Sequence, residues 1–398
     1  MSMSRLPPEL LDDLIDLLRD PETLKQCCLV SKSWIPRTRR HLFADIKFRS
    51  ADDLESWKKT FPNIADSPAC HTHTLFVGCP WLIVAADGGE GSWIRAFSAV
   101  EKLEVANNVH CFTPVQISLA PFHKFSPTLK SLCIGPIRLP SPWLFDLICS
   151  FPLLEDLSLT GRDEPWFSSG DFHRPRSVGP STSPPFTGSL SFRIRGKGAG
   201  NTARQLLELP SGLRFRKLVL LWDHERDLWW NAELVRRCSH TLKSLDITTF
   251  CCTFTHICVR ANNLTLFPVG PEPGSFNLSG TTNLRDVVFR PTWQTAEWIT
   301  VALRTITPQH RDLRQISIHL PDHPTPCDAG TWRPPGEEAL RKWLDIDRLL
   351  AQFWESRSIR PRVGCVRQGE KCQSTEYCIE RLLPVVTRRG IVDPIDPL

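Results

Sequence analysis

Nine short stretches of this 398-residue chain repeat one pattern: an apolar residue, a polar or variable residue, then a second apolar residue. The first positions are Leu75, Leu103, Leu132, Leu157, Phe192, Leu218, Leu245, Val287 and Ile316. Their partners are Val77, Val105, Ile134, Leu159, Ile194, Leu220, Ile247, Phe289 and Ile318. The residue before each first position is polar or charged, from Thr74 and Lys102 through to Asp286 and Gln315. In seven of the nine, an apolar residue also stands three places earlier: Val100, Leu129, Leu154, Phe215, Leu242, Leu284 and Leu313. A period of two is the signature of a strand with one buried face. Successive first positions lie 25–29 residues apart, except for gaps of 35 before Phe192 and 42 before Val287. The second gap has room for a degenerate strand at Asn263-Leu264-Thr265-Leu266.

Between these strands the spacing predicts helices at 92–100, 142–151, 202–209, 228–238 and 296–306. The longest covers 337–356, with Leu340, Trp343, Leu344, Leu349, Leu350 and Phe353 on its buried face. A unit of one strand and one helix cannot bury its own apolar face, so neighbouring units must stack to supply a core. The fold class predicted is α/β, a curved parallel sheet with helices on its convex side. Residues 362–366 predict a closing strand, and the tail from Leu382 is expected to cover the open end. Residues 161–188 and 321–336 are rich in Pro, Ser, Gly and Arg and read as flexible surface loops. The pattern resembles an irregular leucine-rich-repeat solenoid over roughly residues 65–370. It departs from the strict form, because no regular Asn follows the strands and the repeat lengths vary.

Residues 1–48 follow different rules. Leu10, Leu11, Leu14, Leu17 and Leu18 recur at helical spacing behind Pro7-Pro8, which suits a first turn. Asp20-Pro21-Glu22 begins a second short helix, with Asp20 as N-cap. Pro36 begins a third. Ser50 caps a linker helix within 49–64. Three helices in some forty residues are too small a core to stand alone. Leu6-Pro7-x-Glu9-Leu10-Leu11-x-x-Leu14-Ile15-x-x-Leu18, then Leu24 and Val30-Ser31-Lys32-Ser33-Trp34, resembles an F-box. The family usually has Cys and Arg where this chain has Ser31 and Lys32. The resemblance implies docking to a Skp-type adaptor, and through it a cullin, with Leu6, Pro7, Leu10, Leu11, Ile15, Leu18, Val30 and Trp34 as docking or supporting residues. A short F-box ahead of irregular repeats is similar in style to a large set found in mushroom-forming fungi.

Composition narrows the remaining classes. A net charge of +5 is too weak to argue for nucleic acid by itself. No stretch approaches the roughly twenty apolar residues of a membrane span, and the start of the chain has no apolar run, so secretion is not expected and reduced thiols in cytoplasm or nucleus are. No cofactor is expected. Cys70, His73 and Cys79, and Cys251, Cys252, His256 and Cys258, lack the paired spacing of structural zinc sites. No phosphate-loop, nucleophile-elbow or zinc-protease pattern appears, so no catalytic residue is assigned and the chain reads as a non-enzyme.

The resemblances together imply a substrate-recognition subunit of an SCF-type ubiquitin ligase, holding a target on the sheet while the F-box ties it to the ligase. Strand residues pointing away from the core are the candidate target contacts: Phe76, Glu104, Ser158, Arg193, Asp246, Val288 and Ser317. Arg193 and Arg195 share one strand face within a basic stretch from 189 to 222, where an acidic or phosphorylated peptide is one candidate ligand and a solvated charged face the other. A scaffold that uses the repeats outside a ligase stays open, as does a nucleic-acid binder on the basic stretch.

Overall fold

The computed structural model describes residues 7–78, 92–106, 120–125, 127–135, 141–162, 184–195, 198–209, 212–222, 225–249, 276–291, 296–320, 337–357, 359, 361–365, 375–391 and 393–394. The chain divides into two compact units, the first built around Met1–Gly161 and the second around Phe186–Leu398.

The first unit opens with helices α1 (Pro8–Leu17), α2 (Pro21–Val30) and α3 (Ile35–Leu42). Asp20 caps α2 by accepting from the Thr23 N–H at 2.8 Å. Strand β1 (Asp45–Phe48) follows at once, then α4 (Ala51–Thr60). Ser50 and Asp53 close a reciprocal capping box at the start of α4. The sheet continues through β2 (Thr74–Val77), β3 (Lys102–Val105), β4 (Ser131–Ile134) and β5 (Asp156–Arg162), each parallel to its predecessor. Helices α5 (Ser92–Ala96) and α6 (Ser141–Cys149) stand between strands. The sheet therefore begins one strand earlier than the repeat pattern indicates. Strand β1 escapes notice because Ile46 and Phe48 lie directly behind the third helix, in residues the pattern assigns to the helical module.

The second unit carries β6 (Ser189–Arg195), β7 (Lys217–Trp222), β8 (Ser244–Thr249), β9 (Asp286–Arg290), β10 (Gln315–Leu320), β11 (Pro361–Cys365) and β12 (Asp393–Pro394), all parallel in chain order. Its helices are α7 (Gly198–Leu207), α8 (Glu225–Arg237), α9 (Ala296–Arg304), α10 (Glu337–Arg357), α11 (Thr375–Leu382) and α12 (Pro384–Arg388). Within each unit the strands lie side by side in chain order and do not close on themselves.

One hydrogen-bond device recurs at the start of the strands. A single carbonyl of one repeat accepts two successive N–H groups of the next: Ala44 from His73 and Thr74, His73 from Glu101 and Lys102, Glu101 from Lys130 and Ser131. Gly188, Arg216, Lys243 and Arg285 do the same in the second unit. The shared carbonyl sets the register and gives both N–H groups a partner where these strands begin. The residues three places before the strand leucines, Val100, Leu129, Leu154, Phe215, Leu242 and Leu284, are fully buried. Thr72 fills the same place before Leu75 and donates its hydroxyl to the Phe43 carbonyl.

Two expectations change. In β6 the residue aligned with Leu218 is Leu190, not Phe192, and Phe192 aligns with Leu220. A shift of two keeps the same face inward, so Leu190 and Phe192 are buried while Ile194 is half-exposed. Strand β8 pairs directly with β9, Ser244 to Asp286, so no strand comes between them. Residues 263–266 themselves lie outside the described residues, as do most of the two loops at 161–188 and 321–336. Within the first of those loops, Phe186 is buried, has a left-handed backbone (φ 46°), and packs on Phe215 with ring centroids 5.1 Å apart.

Near the C-terminus, α12 is tied to α10. Asp347 on α10 is fully buried and accepts from the backbone N–H groups of Val385 and Val386, 2.7 and 3.0 Å away, at the first turn of α12. Burial pushes its carboxyl above the ordinary value, against the pull of those two bonds.

Candidate functional site

Helix α1 carries two apolar stripes. Leu11, Ile15 and Leu18 form the first, spaced four and three apart, and Ile15 is 2% exposed. Leu10, Leu14 and Leu17 form the second and face out, Leu17 at 74%. Leu29 (80%) and Val30 at the end of α2 are also exposed. Five large aliphatic side chains exposed on thirty residues are the kind of surface that marks an interaction site.

Of the residues implied by the family resemblance, Pro7, Leu10 and Val30 are exposed, and Leu11, Leu18 and Trp34 are half-buried. Ile15 is core and acts as a support, not a contact. Leu6 lies outside the described residues. Leu14, Leu17 and Leu29, which are not among the docking residues the resemblance implies, are also on the surface. The signal for them was present in the sequence, since a ten-residue helix that is apolar on two sides cannot bury both against two short helices.

The outward stripe is held by polar contacts beneath it. Asp16 takes a two-point ion pair from Arg37 on α3, and His41 Nε2 lies 2.7 Å from the same carboxylate. These partners, Arg37 first, hold the Asp16 carboxyl far below the usual carboxylate range. Only Phe43 and Ala44 separate α3 from β1. Phe43, Phe48, Trp57, Phe61 and Phe97 make a cluster of edge-on and tilted rings, with centroids 4.7–5.9 Å apart, that joins the end of α3 to β1, α4 and the loop after α5. The helical module is thus built onto the first strand of the sheet.

The candidate target contacts divide between the two units. Phe76 and Glu104 are direct neighbours in the first unit, and Ser158 is in the same row beyond Cys133. In the second unit Asp246, Val288 and Ser317 share a row that continues to Arg362. Arg193 is exposed but lies two residues beyond Ser191, the member of that row on β6. Arg195 ends β6. The basic stretch does not form one track: Arg193 is on a strand, while Arg204 is on α7 and pairs with Glu208 at 3.6 Å.

Two residues beside the Asp246 and Ser317 row, Arg290 and the buried His319, were not singled out by sequence reasoning. Arg290 bonds the Asp246 carboxylate through Nε and Nη2 at 3.2 and 3.3 Å. Its Nη1 lies 3.5 Å from His319 Nδ1. His319 is pushed down to about 4, by burial first and then by the Arg290 charge. Ser317 is 2% exposed, and its hydroxyl accepts from Gln315 Nε2 at 2.7 Å.

Among the described residues no three His, Cys, Asp or Glu side chains group as metal ligands. Cys79 and the 251–258 group lie outside them. No helix among the described residues is long and apolar enough to cross a membrane. No protein-family model matches the chain, and no curated protein matches it.

Proposed function

We propose that the chain is the substrate-recognition subunit of an SCF-type ubiquitin ligase, working in the cytoplasm or nucleus. On this reading residues 1–48 are an F-box that docks a Skp-type adaptor and, through it, a cullin. The leucine-rich-repeat-like sheet holds the target protein on its helix-free face. The chain makes and breaks no bonds itself; it contributes proximity and orientation.

The observation that carries the reading is the outward stripe of Leu10, Leu14 and Leu17 with Leu29 and Val30, on a module whose sequence resembles an F-box. Covering such side chains contributes about 1.5–3 kcal/mol each, enough for a handful to anchor a stable complex. The joint between α3 and β1 supports the reading in a second way. A module fixed to the first strand holds whatever it binds at a set position relative to that strand.

The test is co-purification with a Skp-type adaptor. The natural chain is compared with a Leu6→Ala, Pro7→Ala, Leu10→Ala variant and with a Leu14→Glu, Leu17→Glu variant. Adaptor and cullin are expected with the natural chain alone. Adaptor without cullin would favour a scaffold outside a ligase. No adaptor with any form would leave the helical module as a cap on the repeats.

A further inference from the structure

We propose that the second unit carries an anion-binding site at Arg290, His319 and Arg362, made for one carboxylate or phosphate on an extended segment of a partner protein. The inference deepens the target-binding half of the function proposed above and rests on it.

The geometry leaves particular donors unused. Asp246 engages Arg290 through Nε and Nη2, so the remaining nitrogen, Nη1, is the one that meets His319 Nδ1. A ring nitrogen that accepts from a guanidinium keeps its lone pair, which puts the imidazole proton on Nε2. His319 is thereby a neutral N–H donor, in keeping with its low value of about 4. Arg362 lies opposite Ser317 on the next strand, half-exposed, with no ion-pair partner among the described residues. Its charge also reaches His319. Gly364 stands opposite His319 and contributes no side chain there. His319 itself is 7% exposed, on the floor of the site, and the half-exposed Arg290 and Arg362 are its reach to solvent. The Ser317 hydroxyl already accepts from Gln315, which frees its own hydrogen to donate.

Two guanidiniums thus flank one neutral imidazole, and the carboxylate that pairs in this group, Asp246, is occupied by Arg290. The excess is positive and the donors are of the kind that bind carboxylate and phosphate. The surroundings favour a peptide over a nucleic acid. Asp246 and Asp286 on the neighbouring rows repel a continuous phosphate backbone, and Val219 and Val288 beside them give apolar contact to side chains.

The test uses the full chain with ring-¹³C histidine, His319 being assigned by its loss in His319→Gln. The probes are inorganic phosphate, capped pentapeptides with a central phosphoserine, glutamate or serine, and a single-stranded RNA oligonucleotide. The phosphoserine or the glutamate peptide is expected to move the His319 signal and to raise its titration midpoint, because a bound anion favours the imidazolium. The stronger of the two identifies the source of the charge, and the serine peptide is expected to do nothing. Arg362→Gln should weaken binding about ten- to hundredfold, the loss of one charge-assisted contact. Should that variant melt early, His319→Gln, read by anisotropy of the labelled peptide, makes the same test.

No His319 response to any probe would overturn the proposal. So would a response to free phosphate equal to that of the peptides, which is an adventitious ion only, or RNA displacing the peptides with steep salt dependence. Adaptor capture is measured on the same samples. Loss of peptide binding with adaptor capture intact counts against this site alone, and the converse counts against the F-box alone.

Discussion

Asp16 and Arg37, twenty-one residues apart, meet in a two-point ion pair that ties the first helix to the third. The Asp16 carboxyl is held well below its ordinary value, by Arg37 first and His41 second. A carboxyl depressed in the folded state adds stability that is present above its unfolded value, near 3.9, and is lost as pH falls through the folded one. The hydrogen-exchange protection of residues 8–42 should therefore hold at pH 5 and above and decline only in stronger acid. Asp16→Asn should lower it at neutral pH and remove most of the acid dependence. Identical acid profiles for the two proteins would show that the pair adds nothing.

On the function proposed, the two stripes of α1 separate docking from folding. Leu14→Glu with Leu17→Glu changes side chains that are already in water, so thermal unfolding should move little while adaptor capture is lost. Ile15→Ala removes a core side chain and should cost about 2–5 kcal/mol, lowering the melting temperature whatever happens to capture. The reverse pattern, with the Glu variant unfolding and Ile15→Ala neutral, would mean that the stripes are assigned the wrong way round.

The strands were legible because each depends on a local period-two pattern that stacking repeats nine times. The register of β6 was less so. Leu190, Phe192 and Ile194 alternate equally well, and only the bonds to β7 choose among them. Strand β1 was hidden because four residues carry too little pattern beside a helix. The sides of α1 were hidden for a different reason: apolar residues on both faces satisfy helical periodicity twice, and which face turns inward depends on Arg37 and His41, more than twenty residues away. Arg290 and His319 could not be found at all from sequence, since their meeting depends on register between strands 29 residues apart. Buried Asp347 was missed because an acid at helical spacing reads as surface until the backbone of α12 is in place to donate to it.

The Asp347 contact predicts how the C-terminal cap responds to change. Asp347→Ala leaves the Val385 and Val386 N–H groups without their acceptor and should cost about 1–2 kcal/mol. The loss should appear as faster proteolysis and exchange in residues 375–391. The carboxyl is raised in the folded state, so its ionisation works against folding. Its contribution is greatest below the unfolded value and falls as pH rises through the folded one. Asp347→Asn never ionises and should flatten that pH dependence, but it keeps one oxygen where the two N–H groups use two, so the cap should loosen less than in Asp347→Ala and not hold fully. A cap equally firm in all three proteins would show that α12 is held by its apolar contacts alone.

The residue that follows each of β2, β3 and β4 is small, and the structure gives a reason. Gly78, Ala106 and Gly135 occupy this place after β2, β3 and β4. A Cβ on Gly135 would lie 2.8 Å from the Ala106 Cβ and 3.0 Å from its Cα. That contact is against backbone and cannot be relieved by turning a side chain, so Gly135→Ala should destabilise by about 1–3 kcal/mol. Gly161, with nothing within 4 Å of its added Cβ, is the control. Gly161→Ala should be neutral or stabilise by up to about 1 kcal/mol through the unfolded chain. Combining Ala106→Gly with Gly135→Ala removes the Cβ that the new methyl meets. The double variant should recover part of the loss, with a coupling of at least about 0.5 kcal/mol between the two sites. Strict additivity in urea unfolding would place the cost of Gly135→Ala in its own backbone and not in the stacking of one repeat on the next.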